Sequence, residues 1–210
     1  MRMRRKRNLD SRMERCADLL IGDPASMQGN WLTESEFDEI YLELGCGKGR
    51  FIVETAKSSP NALFIGAEKA ENVLVLALER AMNEEINNVR FINGLVDYIG
   101  EYFATDEVSG IYLNFSDPWP SKRHVKRRLT SPIFLELYRQ ILRPGGEIHL
   151  KTDNLPLFEY SLEEFNNAGF AVLSETRDLH KDGLTGIMTE YETKFHEQGV
   201  PINKCIAINS

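Results

Sequence analysis

Gly45-Cys-Gly-Lys-Gly49 directly follows the apolar run Ile40-Tyr-Leu-Glu-Leu44, and acids stand at Glu43 and Glu68. Glycines in such a loop let the backbone turn tightly and approach a ligand, and a helix opening after it offers N–H donors. Taken alone, the loop fits a plain turn or a dinucleotide site as well as any other. Its spacing is G-x-G-x-G, not the G-x-G-x-x-G of dinucleotide binders. Glu43, inside the strand before the loop, suits a cationic amino-acid end better than a pyrophosphate. Glu68 follows Gly45 by 23 residues at the end of a second apolar run. An acid there binds ribose hydroxyls in nucleotide-binding α/β folds.

A second group is Asn114-Phe-Ser-Asp-Pro-Trp-Pro120, closing another apolar run. Two prolines around a tryptophan stiffen the loop. Asp117 can accept hydrogen bonds from the Watson–Crick edge of a guanine. Trp119 is either a stacking face for a base or an anchor packed on the core. Lys122, Arg123, Lys126, Arg127 and Arg128 follow, with His124 and Val125 among them. Arg2, Arg4, Arg5, Lys6 and Arg7 form an earlier basic run. These two acid-free runs hold ten of the 25 basic residues, while all 32 acids lie elsewhere and the net charge is −7. Segregation of this kind marks a local polyanion site on an acidic body, and points to RNA.

The 210 residues suit one compact α/β unit, with residues 1–38 as a basic arm and irregular lead-in. The glycine loop, Glu43 and Glu68 together resemble the cofactor site of class I S-adenosylmethionine methyltransferases, which makes 39–210 the expected methyltransferase domain. No run of about eighteen apolar residues could span a membrane. The opening basic residues lead into Asn-Leu-Asp, unlike a secretory signal. Cysteines at 16, 46 and 205 and histidines at 124, 149, 180 and 196 have no metal-ligand spacing. The expectation is a cytoplasmic protein with no disulfide framework and no metal.

From Glu39 onwards strands and helices alternate. Strands are predicted over 40–44, 63–67, 89–95, 110–115, 147–151, 170–176 and 202–208. Helices are predicted over about 50–59, 71–85 and 154–168, with a further one beginning at Ser131-Pro132 and running to Leu142. This predicts a Rossmann-like α/β fold with a mostly parallel seven-stranded sheet, helices on both faces and ligands at the carboxyl ends of the strands.

Leu42-Glu-Leu-Gly-Cys-Gly-Lys-Gly49, Tyr112 to Pro120, Lys122-Arg-His, Lys126-Arg-Arg-Leu-Thr130, Leu150-Lys-Thr-Asp-Asn154 and Met188-Thr-Glu-Tyr-Glu192 resemble the bacterial tRNA (guanine-N7)-methyltransferases. The resemblance runs from about Ala25 to the C-terminus. It implies S-adenosyl-L-methionine as cofactor, contacted at Glu43, Gly45, Gly47, Glu68, Leu95 and Asp117, with Asp117 also catalytic. It places Ser121, Asp153 and Thr189-Glu190-Tyr191-Glu192 on the target guanosine, guanine-46 of the tRNA variable loop. Arg123, His124, Val125, Lys126, Arg127 and Arg128 match the RNA-contacting segment. The family includes monomers and homodimers. Two positions depart from its pattern: Ser121 stands where lysine is usual, and Leu95 where an acid is usual near the adenine. Backbone, Asn93 or Asp97 then has to serve the adenine.

Guanine N7 carries a lone pair and no proton, so its methylation needs alignment rather than a general base. The absence of an obvious catalytic histidine or lysine agrees with that chemistry. Methylation of another nucleobase or an amine is the alternative reaction, and a catalytically silent RNA-binding protein the alternative class.

Overall fold

The computed structural model describes residues 8–33 and 36–210, and the basic run from Arg2 to Arg7 lies outside the described residues. The lead-in, expected to be irregular, instead contains helix α1 (Leu9–Arg15) and the two-residue strand β1 (Leu20–Ile21). Leu9 and Cys16 are buried, and Arg12 grips Glu79 with two hydrogen bonds of 2.7 and 2.6 Å. This stretch is therefore packed on the body.

The sheet grows by period-two burial. In β2 (Glu39–Leu44), Ile40, Leu42 and Leu44 enter one apolar layer, while Tyr41 packs against the other. β3 (Ala62–Ala67) repeats this with Leu63, Ile65 and Ala67 on the first face and Ala62 and Phe64 on the second. Between them, α2 (Arg50–Ser58) covers the second face through Ile52, Val53 and Ala56. α3 (Glu71–Asn83) joins it through Leu74, Ala77, Leu78 and Ala81.

β4 (Val89–Ile92) ends three residues earlier than its apolar pattern suggests, and the short helix α4 (Ile99–Tyr102) follows. β5 (Val108–Asn114) then lies on the other side of β2, pairing Glu43 with Tyr112. The chain thus runs outward through β3 and β4, then jumps back across β2. The carboxyl ends of β2 and β5 form the topological switch point, where ligands bind in open α/β sheets.

α5 (Pro132–Ile141) begins at Ser131 as expected, but the Ser131 hydroxyl donates to the Lys126 carbonyl at 3.2 Å rather than capping the helix. β6 (Leu142–Thr152) starts earlier than predicted and takes in Pro144-Gly-Gly146, with an irregularity opposite Val108–Gly110. α6 (Leu155–Asn167) is capped by Asn154, whose side chain accepts from Leu157 N–H at 2.8 Å. α5 and α6 fill the first face with Phe134, Leu135, Tyr138, Phe158, Leu162 and Phe165.

The last strand, β8 (Asn203–Asn209), inserts antiparallel between β6 and β7 (Phe170–Thr176), reached through helix α7 (Glu190–Glu197). The order is β1-β4-β3-β2-β5-β6-β8-β7, eight strands rather than the predicted seven. The additional strand is β1, parallel to β4 and too short to leave an alternating pattern in the sequence. Among the described residues no helix is long and apolar enough to cross a membrane.

Candidate functional site

A cavity of about 1060 Å³ opens at the switch point. Its lining brings together Glu43, Gly45, Gly47, Glu68, Leu95 and Asp117, the whole expected cofactor set. The loop reaches it through three positive φ angles, at Gly45, Gly47 and Gly49. Gly45 and Cys46 N–H both donate to Ala67 O, at 2.8 and 3.1 Å, which holds the loop across the end of β3. A Cβ on Gly47 would meet nothing within 4 Å, whereas one on Gly49 would lie 2.6 Å from Ala77 Cβ. Gly49 is thus required by helix packing. Gly49→Ala is expected to cost about 1–3 kcal/mol through strain and clash, read as a lowered Tm. An unchanged Tm would mean that α2 and α3 shift apart at no cost.

Glu43 is 2% exposed, and its Oε1 accepts from Asn114 Nδ2 at 2.9 Å across the β2–β5 pair. Its Oε2 and the Asn114 Oδ1 are buried and accept no well-formed hydrogen bond, with the Ile52 backbone N–H acting only weakly on the carboxyl. Buried acceptors left open cost free energy, and an ammonium, with three donors, satisfies such a pair. The residues present therefore fit the cationic end of S-adenosylmethionine. Burial pushes the Glu43 carboxyl up to about 8, against the lowering effect of Asn114. Glu68 bridges Gly47 N–H at 3.3 Å and Ala70 N–H at 2.9 Å, which fixes its carboxylate at the cavity wall.

Leu95, at 46% exposure, lines the wall beside Val96 and Asp97. Of the two side chains expected to replace its missing acid, Asn93 is engaged. Its Nδ2 donates to Glu68 O and Lys69 O at 3.0 and 3.4 Å. Asp97 lines the cavity.

Asp117 stands exposed at the mouth, on a loop whose backbone takes φ +53° at Phe115 and +40° at Trp119. Residues with side chains rarely adopt such angles, so the surroundings must impose them. Arg128 does so: its guanidinium donates to Pro118 O and Trp119 O at 3.0 and 3.3 Å and lies over the Tyr160 ring at 4.4 Å. The side chain expected on RNA is folded back as a loop brace. Arg127 stacks on the Trp119 ring at 4.9 Å, and His124 meets that ring edge-on at 5.5 Å. Lys126 and Arg127 line the cavity, while Arg123, His124, Val125 and Arg128 do not.

Thr189, Glu190 and Tyr191 complete the mouth, but Ser121, Asp153 and Glu192 are not among the lining residues. Glu192 is fully buried, at the third position of α7, and forms a capping box with Thr189. Phe115, Tyr191 and Phe195 form a triangular cluster of rings, each pair of centroids 6.0–6.5 Å apart. The sequence reading missed this cluster because its members come from distant segments. It also missed Asn114 as the partner of Glu43, and Lys151. A lysine in the middle of an apolar strand is itself a signal, since a buried ammonium requires a partner. No group of three or more potential metal ligands occurs among the described residues.

A family model described as "Putative methyltransferase" matches residues 38–205. The tRNA (guanine-N(7)-)-methyltransferase of Geobacillus kaustophilus (strain HTA426) is 45% identical over 210 residues, 99% of this chain and 97% of that protein. The Bacillus subtilis (strain 168) protein of the same name is 45% identical over 204 residues, 96% of each chain. Among solved structures, the 16S rRNA methyltransferase KamB superposes with a TM-score of 0.63 at 14% identity, covering 82% of this chain and 88% of that one. The last likeness concerns the fold alone.

Proposed function

The chain belongs to the bacterial tRNA (guanine-N(7)-)-methyltransferase family, and from that premise we propose that it methylates N7 of guanine-46 in the variable loop of tRNA. The observation that carries this reading is a single cavity shared by the buried Glu43 carboxyl, the glycine loop and Asp117. S-adenosyl-L-methionine supplies an electrophilic methyl group there. Glu43 and Asn114 would hold its ammonium, Gly45 and Gly47 would leave room for its amino-acid end, and Glu68 would take the ribose hydroxyls. Leu95 and Asp97 would serve the adenine.

Asp117 accepts hydrogen bonds from the guanine Watson–Crick edge and turns N7 towards the methyl group, with no proton to remove. Thr189, Glu190 and Tyr191 frame the base, and the exposed ring of Tyr191, backed by Phe115 and Phe195, offers a face on which a base can stack. Ser121 and Asp153 act at the rim. Side chains cannot read the narrow major groove of an A-form helix, so the guanosine enters from a loop or extruded. Lys126 and Arg127 grip phosphates at the mouth, with Arg123 and His124 beyond, and the arm before Asn8 adds a second basic contact. Residues 39–210 carry the transfer reaction, and the protein works in the cytoplasm with Cys16, Cys46 and Cys205 as free thiols.

The deciding experiment combines methyl-labelled S-adenosylmethionine with unmodified tRNA transcripts and maps the label by N7-specific strand cleavage. Label on a variable-loop guanosine is the expected result, and label on any other base would sink the reading. A second measurement separates phosphate contacts from braces. Lys126→Ala and Arg127→Ala each reduce the slope of log affinity against log salt by about one, whereas Arg128→Ala leaves it in place. An equal loss of slope at Arg128 would put that guanidinium on the RNA.

A further inference from the structure

The stretch from Arg177 to Tyr191 ends in the three residues that line the cavity mouth, yet it contains no regular element before Glu190. Only His180 and Thr189 are buried along it. A segment so exposed holds a fixed geometry only where something anchors it. The anchor is a buried cluster on Glu192. Its Oε1 accepts from Lys151 Nζ at 3.1 Å and pairs with His180 Nε2 at 2.9 Å. Its Oε2 accepts from Lys151 Nζ at 3.0 Å and from Thr189 N–H at 3.3 Å. Lys151 also donates to Ile187 O at 3.0 Å, and His180 Nδ1 accepts from Thr185 N–H at 3.4 Å.

Three buried side chains thus bind the strap at positions 180, 185, 187 and 189 and tie it to β6. The remaining ties are more open. Leu179 N–H donates to Ile202 O at 2.8 Å, Arg80 pairs with Glu190 at 2.9 Å, and Arg177 pairs with Glu159 at 2.7 Å and lies over the Phe158 ring. Just beyond the strap, Arg50 donates to Thr193 Oγ1 at 2.9 Å. The exposed and part-exposed ion pairs among them contribute little. Every Glu192 oxygen is spent inside the cluster, and none faces the cavity.

We infer that Lys151, His180 and Glu192 form a buried latch and serve methyl transfer as positioning residues, setting Thr189, Glu190 and Tyr191 against the target nucleotide without touching it. The inference rests on the guanosine reading of the site. It reassigns Glu192, expected from its sequence motif to contact the guanosine.

The test compares His180→Ala, Glu192→Gln and the double variant Lys151→Met/Glu192→Met. Removing both charges together spares the fold the penalty of a lone buried ion. Three quantities are read: KM and kcat for a tRNA transcript, cofactor affinity by calorimetry, and tryptic cleavage after the exposed Lys181. All three variants are expected to raise the KM for tRNA about tenfold or more, to lower kcat, and to be cut faster at Lys181. Cofactor affinity of His180→Ala should stay within about threefold of wild type, because His180 lines no part of the cavity. Wild-type kinetics in His180→Ala, beside a loss in Glu192→Gln, would overturn the latch and put Glu192 on the nucleotide. A fall in cofactor affinity in step with the tRNA effect would overturn it too, as general loosening. If the wild-type protein labels no N7, the functional reading fails, and unchanged proteolysis of the variants would separately dispose of the latch.

Discussion

Cofactor binding at pH 7 should release close to one proton, and Glu43→Gln should abolish that release and weaken binding about a hundredfold or more. In the free protein burial holds the Glu43 carboxyl at about 8, so at neutral pH it is mostly protonated. A bound ammonium stabilises the carboxylate and drives the proton off. Affinity then falls about tenfold for each pH unit below about 8. Above that, the cofactor's own α-amino group, with an ordinary pKa of about 7.7–8.0, loses its charge. The affinity optimum therefore lies near pH 8. Calorimetry in buffers of different ionisation enthalpy measures the proton count directly, and a binding heat independent of buffer would refute this role for Glu43.

Glu43 has a consequence for stability as well. Its folded value of about 8 lies above its ordinary 4.5, so the folded state holds the proton more tightly than the unfolded chain does. The resulting stabilisation is complete below about 4.5 and is lost as pH rises through about 8. Without cofactor, the protein should lose Tm between pH 5 and 8 more steeply than its Glu43→Gln variant.

Asp117→Ala should lower kcat on tRNA by about a hundredfold to a thousandfold. Transfer to N7 requires no proton abstraction, so the barrier the protein can lower is chiefly alignment of the base, and a misplaced near-attack geometry costs on the order of 3–4 kcal/mol. Asp117 is placed for this by the Pro118-Trp-Pro120 loop, with Arg128 bracing both Pro118 and Trp119. Asp117→Asn keeps one acceptor and loses the charge, and should fall between the two. Single-turnover rates at saturating tRNA make the comparison, and near-normal turnover in Asp117→Ala would remove the residue from the reacting centre.

The sequence by itself determined the glycine-loop wall of the cavity. Gly45 to Gly49 lie within five residues, and Glu43 and Leu44 precede them on one strand, so local backbone geometry fixes their relation. The Asp117 loop was legible for the same reason, as were the strands whose apolar residues recur with period two. Tertiary structure alone decided the pairings between distant segments. The two-residue β1 carries no alternation, and β8 enters between β6 and β7 through a ladder no local pattern encodes. α7 escaped notice because only Glu192 among its residues is buried, leaving no apolar stripe to read. Arg128 reads as one more cation in a basic run until the carbonyls of Pro118 and Trp119 are found within its reach. Glu192 stands in the same motif as Thr189 and Tyr191, yet one helical turn carries it inward to Lys151 and His180, 41 and 12 residues away in the chain. Sequence spacing fixes which way a side chain can point along its own helix or strand. Only the packing of the other elements settles whether it meets solvent, ligand or a buried countercharge.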